Sequence, residues 1–125
     1  MRIAASGMTA ERFRMDVISS NIANANSMQI KGGAEPYRRR DVILQSGKDG
    51  VEIRGVIQEP TEQRPFRRVY DPGNPNAVEG YVTYTNFEPI FEMVNMMGAS
   101  RAYEANVAAF NSAKSMFRSA LNIGR

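Results

Sequence analysis

The residues of this chain that could do chemistry are carboxylates, amides, hydroxyls and cations, because its 125 residues include neither cysteine nor histidine. Without these two types, the sequence excludes disulfides, thiolate nucleophiles, zinc sites and Ser-His-Asp catalysis. The remaining candidates for acid–base work are Glu52, Glu59 and Glu62. Each has an arginine nearby in sequence, and no nucleophile or metal-ligand set accompanies them. We therefore predict no catalytic residue, no cofactor and no metal site, and we do not expect an enzyme.

A cluster of amides is the second chemically distinctive feature. Asn21, Asn24 and Asn26 fall within six residues, in the stretch SSNIANANS. Asparagine is a poor helix former because its side chain competes for backbone hydrogen bonds. It accepts the left-handed conformation that often ends a helix, so one of these residues is expected to cap the helix before it. An amide at the edge of a helical seam can instead bond a neighbouring helix and fix its register.

The first helix that must position these amides is predicted over residues 1–25, which contain no proline and repeat apolar side chains in heptads. The predicted seam, interrupted only by Glu11, consists of Met1, Met8, Met15 and Ile22 with Ala4, Glu11, Ile18 and Ala25. Gly7 weakens such a helix by about 1 kcal/mol relative to alanine. We therefore expect Gly7 to mark a close packing point.

The second helix is predicted over residues 87–123, with Asn86 as its N-cap and Pro89 in its first turn. Its apolar stripe consists of Met93, Met96, Tyr103, Val107, Phe110, Phe117 and Leu121. A helix of about 35 residues is about 50 Å long. This exceeds the width of a compact chain of this size, whose radius of gyration is about 14 Å. The helix is therefore expected to project or to lie in an assembly.

Between the helices, residues 30–86 predict a small β-rich module with a connector. Four segments are short and rich in β-branched or aromatic residues: YRRRDVIL, VEIRGVIQE, FRRVY and GYVTY. Turn sequences separate them, most clearly DPGNPN, and NSMQIKGGAEP before them looks like a flexible connector. The predicted fold class is α+β. The terminal helices, within 1–29 and 87–125, pair as a coiled coil and form a discontinuous helical domain around the β module.

The charge distribution gives little support to a nucleic-acid-binding face. The net charge is +3, and no region concentrates positive charge. The run Arg38-Arg39-Arg40 is followed by Asp41 and preceded by Glu35, which favours a solvated, locally paired surface, with an acidic partner as the alternative. No apolar run is long enough to span a membrane, and no standard secretory signal peptide is expected.

Both ends of the chain resemble a known family. ASGMTAERFRMDVISSNIANANS is similar to the N-terminal signature of the bacterial flagellar axial proteins, which are the rod, hook and hook-associated subunits. EMVNMMGASRAYEANVAAFNSAKSMFRSALNIGR is similar to their C-terminal signature. The middle is short, and its YRR, VYDPGNPNA and GYVTYTN segments resemble most closely those of the C-type proximal rod subunits.

The resemblance implies a structural subunit of the proximal rod in the flagellar basal body, which crosses the periplasm. It implies that the terminal helices form a coiled-coil inner tube, with the β module outside, in a hollow drive shaft and export conduit that transmits torque. It also implies export by the flagellar type III apparatus. The expected partners are other rod proteins and copies of the same chain in a helical assembly. Further candidates are the inner-membrane ring, an export-gate adaptor and the distal rod, whereas neither nucleic acid nor direct membrane insertion is expected.

We predict that subunits contact one another through the helical seams and the amides. The predicted interface residues are Met8, Met15, Ile18, Asn21, Ile22, Asn24, Asn26, Met93, Met96, Arg101, Tyr103, Asn106, Val107, Phe110, Phe117 and Leu121. The eight methionines suit such an interface, because a flexible thioether adapts to neighbours that are similar but not identical. The alternative is a compact helical-hairpin binding module, an export chaperone or adaptor, with a β cap.

Overall fold

Two helices from opposite ends of the chain flank four short strands in the computed structural model, which describes residues 2–60 and 65–124. Helix α1 is Arg2–Ala23 and helix α2 is Pro89–Ile123. The strands are β1 Arg40–Gly47, β2 Gly50–Gln58, β3 Arg67–Tyr70 and β4 Tyr81–Tyr84. This arrangement confirms the predicted α+β class.

The two helices run antiparallel and pack against each other along α1. Asn21 bonds Glu92 near one end of the contact, and Gly7 lies against Asn106 near the other. Both helices advance fourteen residues between these two contacts, so the pairing keeps a single register over that length. Because α2 is longer, its residues from about 112 onward extend beyond the first turn of α1, by about 18 Å.

In α1 the line of closest approach differs by one residue from part of the predicted seam. The buried residues of α1 are Gly7, Ala10, Ile18 and Asn21. The predicted seam positions beside them are only half-buried, and they are Met8, Met15 and Ile22. The sequence prediction chose the second set because its side chains are large and apolar. Close approach of two helices instead requires small residues, or polar residues that are hydrogen-bonded. Met1, which the predicted seam also included, lies outside the described residues.

The same displacement occurs in α2. Its buried residues are Glu92 and Ala99, one heptad apart, and Asn106 continues their line towards Gly7. The prediction instead placed Met93 and Val107 on the seam, and each lies one residue beyond the buried line. The closest contact therefore belongs to a carboxylate, an alanine and an amide, whereas Met96, Tyr103 and Phe110 of the predicted stripe are half-buried.

Strands β1 and β2 form an antiparallel hairpin that packs on α1. At its tip, Gly50 has a φ of 123° and lies so close to α1 that a Cβ there would meet Ser6 Oγ at 2.2 Å. Ser6 Oγ accepts a hydrogen bond from the Val51 backbone N–H at 3.0 Å. The hairpin tip is thereby attached to the first turns of α1, and only glycine fits at that position.

Strands β3 and β4 form a second antiparallel hairpin, and part of the predicted connector is attached to it. The Gln29 N–H donates to the Thr83 carbonyl at 2.8 Å, and the Thr85 N–H donates to the Ser27 carbonyl at 3.0 Å. These two bonds place the chain after α1 alongside β4. The first part of the connector is therefore an ordered edge of this sheet, which corrects the expectation of a flexible link.

The start of α2 corrects a second expectation, because Asn86 is not its N-cap. Glu88 occupies the cap position without a side-chain hydrogen bond, and Pro89 follows in the first turn. Asn86 Nδ2 instead donates to the Pro65 carbonyl at 3.0 Å. Asn86 therefore fastens the approach to α2 onto the segment that precedes β3.

The buried apolar core is small for a chain of this length. Its buried apolar residues are Ala10, Ile18, Ala25, Val82, Phe87 and Ala99. Three of these are alanines, which bury little area each, so the core contributes modestly to stability. The polar contacts that join the elements therefore deserve as much weight as the apolar ones.

Candidate assembly surfaces

Asn21 is fully buried at the point where α1, α2 and the start of β1 meet. Its Nδ2 donates to the Arg40 carbonyl at 2.8 Å and to Glu92 Oε2 at 3.2 Å. Its Oδ1 accepts from the Tyr37 hydroxyl at 2.7 Å and from the Arg40 backbone N–H at 3.0 Å. Both donors and both acceptor sites of the amide are in use. The cost of burying this polar side chain is therefore offset by hydrogen bonds.

Glu92 is the second buried group at this point, with only 1% of its surface exposed. Its Oε1 accepts a hydrogen bond from Arg39 Nε, and its Oε2 accepts from Asn21. Asn21, Tyr37, Arg39 and Glu92 are named the polar cluster below. The polar cluster connects three segments that are far apart in the sequence, and it fixes where the β module leaves the helix pair.

The predicted local pairing of the arginine run is confirmed only in part. Arg38 Nη2 lies 2.6 Å from Glu35 Oε2, and Arg39 Nη1 lies 3.6 Å from Asp41 Oδ2, as the sequence predicted. Arg39, however, is not a solvated side chain, because it reaches inward to the buried Glu92. The alternation of neighbouring side chains along an extended segment sends one arginine of the run inward.

The surroundings of Arg39 act in opposite directions on the pKa of its guanidinium. Burial lowers this pKa, whereas the hydrogen bond and charge of Glu92, with the charges of Asp41 and Glu59, raise it, and the net direction is upward. A pKa raised by folding adds stability that is present below the pKa of the unfolded group and is lost only above the folded pKa. Because a guanidinium group loses its proton only far above neutral pH, Arg39 stays charged wherever the chain is folded.

The other two amides of the cluster in the sequence have different positions. Asn24 Nδ2 donates to the Ser20 carbonyl at 2.8 Å, so Asn24 closes the last turn of its own helix. Asn26 is exposed, and its side chain makes no hydrogen bond within residues 2–60 and 65–124. Thus Asn21 joins elements within the chain, Asn24 caps α1, and Asn26 faces outward.

Gly7 confirms the predicted close packing point at the other end of the helix contact. A Cβ at Gly7 would lie 2.6 Å from Asn106 Oδ1, which is too short for any real contact. Asn106 is held over Gly7 because its Nδ2 donates to the Ala102 carbonyl one turn earlier in α2 at 2.9 Å. Asn106 therefore occupies the space that the absent side chain of Gly7 leaves.

Part of the predicted subunit interface faces the chain's own helices. Ile18 and Asn21 are buried between α1 and its neighbours. Residues that are partly covered by the chain itself are Met8, Met15, Ile22, Asn24, Met96, Tyr103, Asn106, Val107 and Phe110. Of these, Met8, Met15 and Ile22 form one heptad line along the flank of α1. Each of them leaves part of its side chain accessible to a neighbour.

The remaining predicted residues face outward. They are Asn26, Met93, Arg101, Phe117 and Leu121. Phe117 and Leu121 are 57% and 54% exposed, although they continue the side of α2 that faces α1. Together with the exposed Met116 and Ile123 they form a surface named the far patch below.

A second apolar surface lies at the opposite end of α2, and the sequence interpretation recognised only Met93 in it. Its exposed members are Ile90, Phe91, Met93, Val94 and Met97, which are named the near patch below. Four of the five follow the spacing i, i+3, i+4 and i+7, which is the signature of one helical face. That second stripe was visible in the sequence. It lies on the side of α2 opposite to the buried Glu92 and Ala99.

The carboxylates of the described residues do not gather into a metal site. Within residues 2–60 and 65–124, no three acidic residues lie close enough together to hold a metal ion. Glu52 is exposed and Glu59 is half-buried, whereas Glu62 lies outside the described residues. Neither α1 nor α2, over those same residues, is long and apolar enough to cross a membrane.

Comparison with known proteins links both helices to one kind of protein. Residues 1–27 match the family "Flagella basal body rod protein", and residues 78–123 match "Flagellar basal body rod FlgEFG protein C-terminal". The chain is 38% identical to the flagellar basal-body rod protein FlgC of Bacillus subtilis, over 100% of this chain and 96% of the relative. It is 42% identical to FlgC of Escherichia coli O157:H7, over 98% and 94%. It is also 42% identical to FlgC of Aquifex aeolicus, over 92% and 87%.

Proposed function

This chain belongs to the FlgC family of flagellar basal-body rod proteins, and from that membership we propose how its surfaces build a rod. The chain is a structural subunit of the flagellar basal-body rod, and it assembles with other rod components. The relatives do not favour the alternative of an export chaperone or adaptor. The family is a structural one, and we propose that the chain performs no catalysis.

We propose that neighbouring rod subunits contact this chain through the near patch and the far patch. Monomeric soluble proteins seldom expose contiguous apolar surface of this kind, and where they do it commonly marks a protein interface. The two patches are different surfaces about 38 Å apart along α2. A contact between one patch and a different surface of the next subunit is heterologous, and such contacts build open helical polymers. The predicted flank line of Met8, Met15 and Ile22 adds a third contact surface, on α1.

In this proposal the helix pair forms the wall of an inner tube, and the two hairpins lie on its outer side. The tube is the hollow shaft that transmits torque across the periplasm and through which exported subunits pass. The proposed partners are copies of this chain and other rod proteins, with the inner-membrane ring, an export-gate adaptor and the distal rod as further candidates. Export by the flagellar type III apparatus belongs to the same proposal.

The far patch is the observation that carries the proposal. Phe117 and Leu121 lie on the side of α2 that faces α1 in the rest of the helix pair, yet they are more than half exposed. Within the described residues, no other element packs on them. A helix from another subunit, laid along this end of α2, would continue the contact that α1 begins.

The proposal is tested by replacing the far patch in cells that lack their own copy of the protein. The double variant Phe117→Ser and Leu121→Ser should enter isolated basal bodies at least about tenfold less than the natural chain, because interface energy concentrates in a few large side chains. Swimming in soft agar should be lost in parallel. The matched control is Ser115→Ala with Ser119→Ala, two exposed positions on the same segment. Natural incorporation of the first variant would contradict the proposal, as would an equal loss in the control.

A further inference from the structure

The closest approach between α1 and α2 is lined largely by small side chains. The small buried residues along it are Gly7, Ala10 and Ala99. Small side chains let two helices approach closely. They project too little, however, to fit only one alignment with the facing helix. A slide of one helix by a heptad would move Asn106 off Gly7, but the alanines along this line would resist it little.

The polar cluster responds to such a slide quite differently. Asn21 and Glu92 would separate by about 10 Å for each heptad, because a helix rises 1.5 Å per residue. Glu92 would then lose its hydrogen bond from Asn21. Arg39, whose neighbour Arg40 is bonded to Asn21, could not pair with Glu92 while Arg40 stayed bonded to Asn21. An unpaired charge or an unsatisfied amide is costly inside a protein. Only one register satisfies both residues.

We propose that the polar cluster sets the register of the helix pair and the position of β1 on it, and that specificity rather than stability is its main contribution. Asn21 binds the backbone of Arg40 on both its N–H and its carbonyl, so the strand is fixed by the same amide as the helix partner. Buried polar residues define register in other helical assemblies, often at some expense of stability. The inference stands on this chain alone and does not depend on rod assembly.

The register can be measured as a distance between two spin labels. The chain contains no cysteine, so labels can be attached specifically at Ser19→Cys and Ser115→Cys, which are both exposed. In the observed register these positions are about 30 Å apart along the helix pair, and a slip of one heptad changes this by about 10 Å. Pulsed electron paramagnetic resonance on the full chain, diluted with unlabelled chain, should give one narrow distance.

The decisive variant makes the cluster apolar, with Asn21→Leu, Glu92→Leu and Arg39→Met together. We expect it to keep its helix content in circular dichroism but to show a second distance displaced by about 10 Å. A single natural distance in this variant would overturn the proposal. A variant that loses its helices would also overturn it, because the cluster would then serve stability. Several distances in the natural chain would overturn it as well.

Two further variants separate register from stability. Ile18→Ala removes a buried apolar side chain from the same helix contact without touching the cluster. It should lower the melting temperature and leave the single distance unchanged. Glu92→Gln keeps an oxygen for Asn21 but removes the charge, and it should also keep the single distance. A second distance in the Ile18→Ala chain would mean that any weakening of the contact releases the register, which contradicts a specific role for the cluster.

Discussion

The contact line between the two helices and the outward face of α2 reverse the usual distribution of side chains. The contact line holds Gly7, Asn21 and Glu92, whereas Phe91 and Val94 of the near patch are largely exposed. In an ordinary soluble domain the large apolar residues are inside and the charged ones outside. Small and polar side chains therefore line the closest approach within this chain, and several large apolar side chains of α2 are left exposed.

The largest expected effect comes from comparing two adjacent residues of α2, one on the contact line and one on the outward face. Glu92→Ala leaves Arg39 without its buried partner, and the free energy of unfolding should fall by about 3 kcal/mol. Met93→Ala shortens an exposed side chain and should change the same free energy by less than about 1 kcal/mol. Urea denaturation of both variants measures the difference. Equal losses would show that the outward face stabilises the single chain as much as the contact line does.

Two glycines allow a second comparison between the contact line and an exposed position of α2. Gly7→Ala forces Asn106 out of its place over the helix contact and should destabilise the chain by about 1 to 2 kcal/mol. Gly98→Ala meets nothing within 4 Å on α2, so it should stabilise the free chain by about 0.5 to 1 kcal/mol through helix propensity.

Adding Asn106→Ala to Gly7→Ala should cost less than the sum of the two single changes, because the clash disappears with the amide. Thermal melts of the four variants and the natural chain test this. Additive losses at Gly7 and Asn106 would mean that the two residues do not share the space in which the structure places them.

The smallest expected effects separate two amides that are two residues apart. Asn24→Ala removes the bond to the Ser20 carbonyl and should lower the stability of the free chain by about 0.5 to 1 kcal/mol. Asn26→Ala should leave that stability unchanged and instead reduce the amount of protein in isolated basal bodies. The opposite pattern, with Asn26 stabilising the free chain, would place that side chain inside rather than outside.

Periodicity predicted the elements of this fold well, because it reports which face of a helix or strand is apolar. The two helices, the strands at YRRRDVIL and GYVTY, and the close packing at Gly7 all follow from local sequence. Half of the helix seam was nevertheless misplaced by one residue. Large apolar side chains such as Met8 and Met93 gave the stronger signal, although the closest contact belongs to their smaller or polar neighbours.

The polar cluster could not be predicted from local sequence. Asn21 and Glu92 are 71 positions apart, and Arg39 comes from a run that resembles solvated surface. Only the folded chain brings an amide, a carboxylate and a guanidinium to one buried point. The near patch, by contrast, could have been found, since Ile90, Val94 and Met97 share a helical stripe with Met93.

The hairpin β1–β2 has a mechanical consequence. It is attached to α1 at both of its ends, by Asn21 beside Arg40 and by Ser6 beside Gly50. Over this span of about 22 Å, α1 packs against α2 on one side and against the hairpin on another. We therefore expect this part of α1 to resist bending. Within the described residues, α2 beyond about residue 112 lacks such contacts, and we expect it to bend more easily. We therefore expect bending stiffness to differ along α2, between the part that packs against α1 and the part that does not.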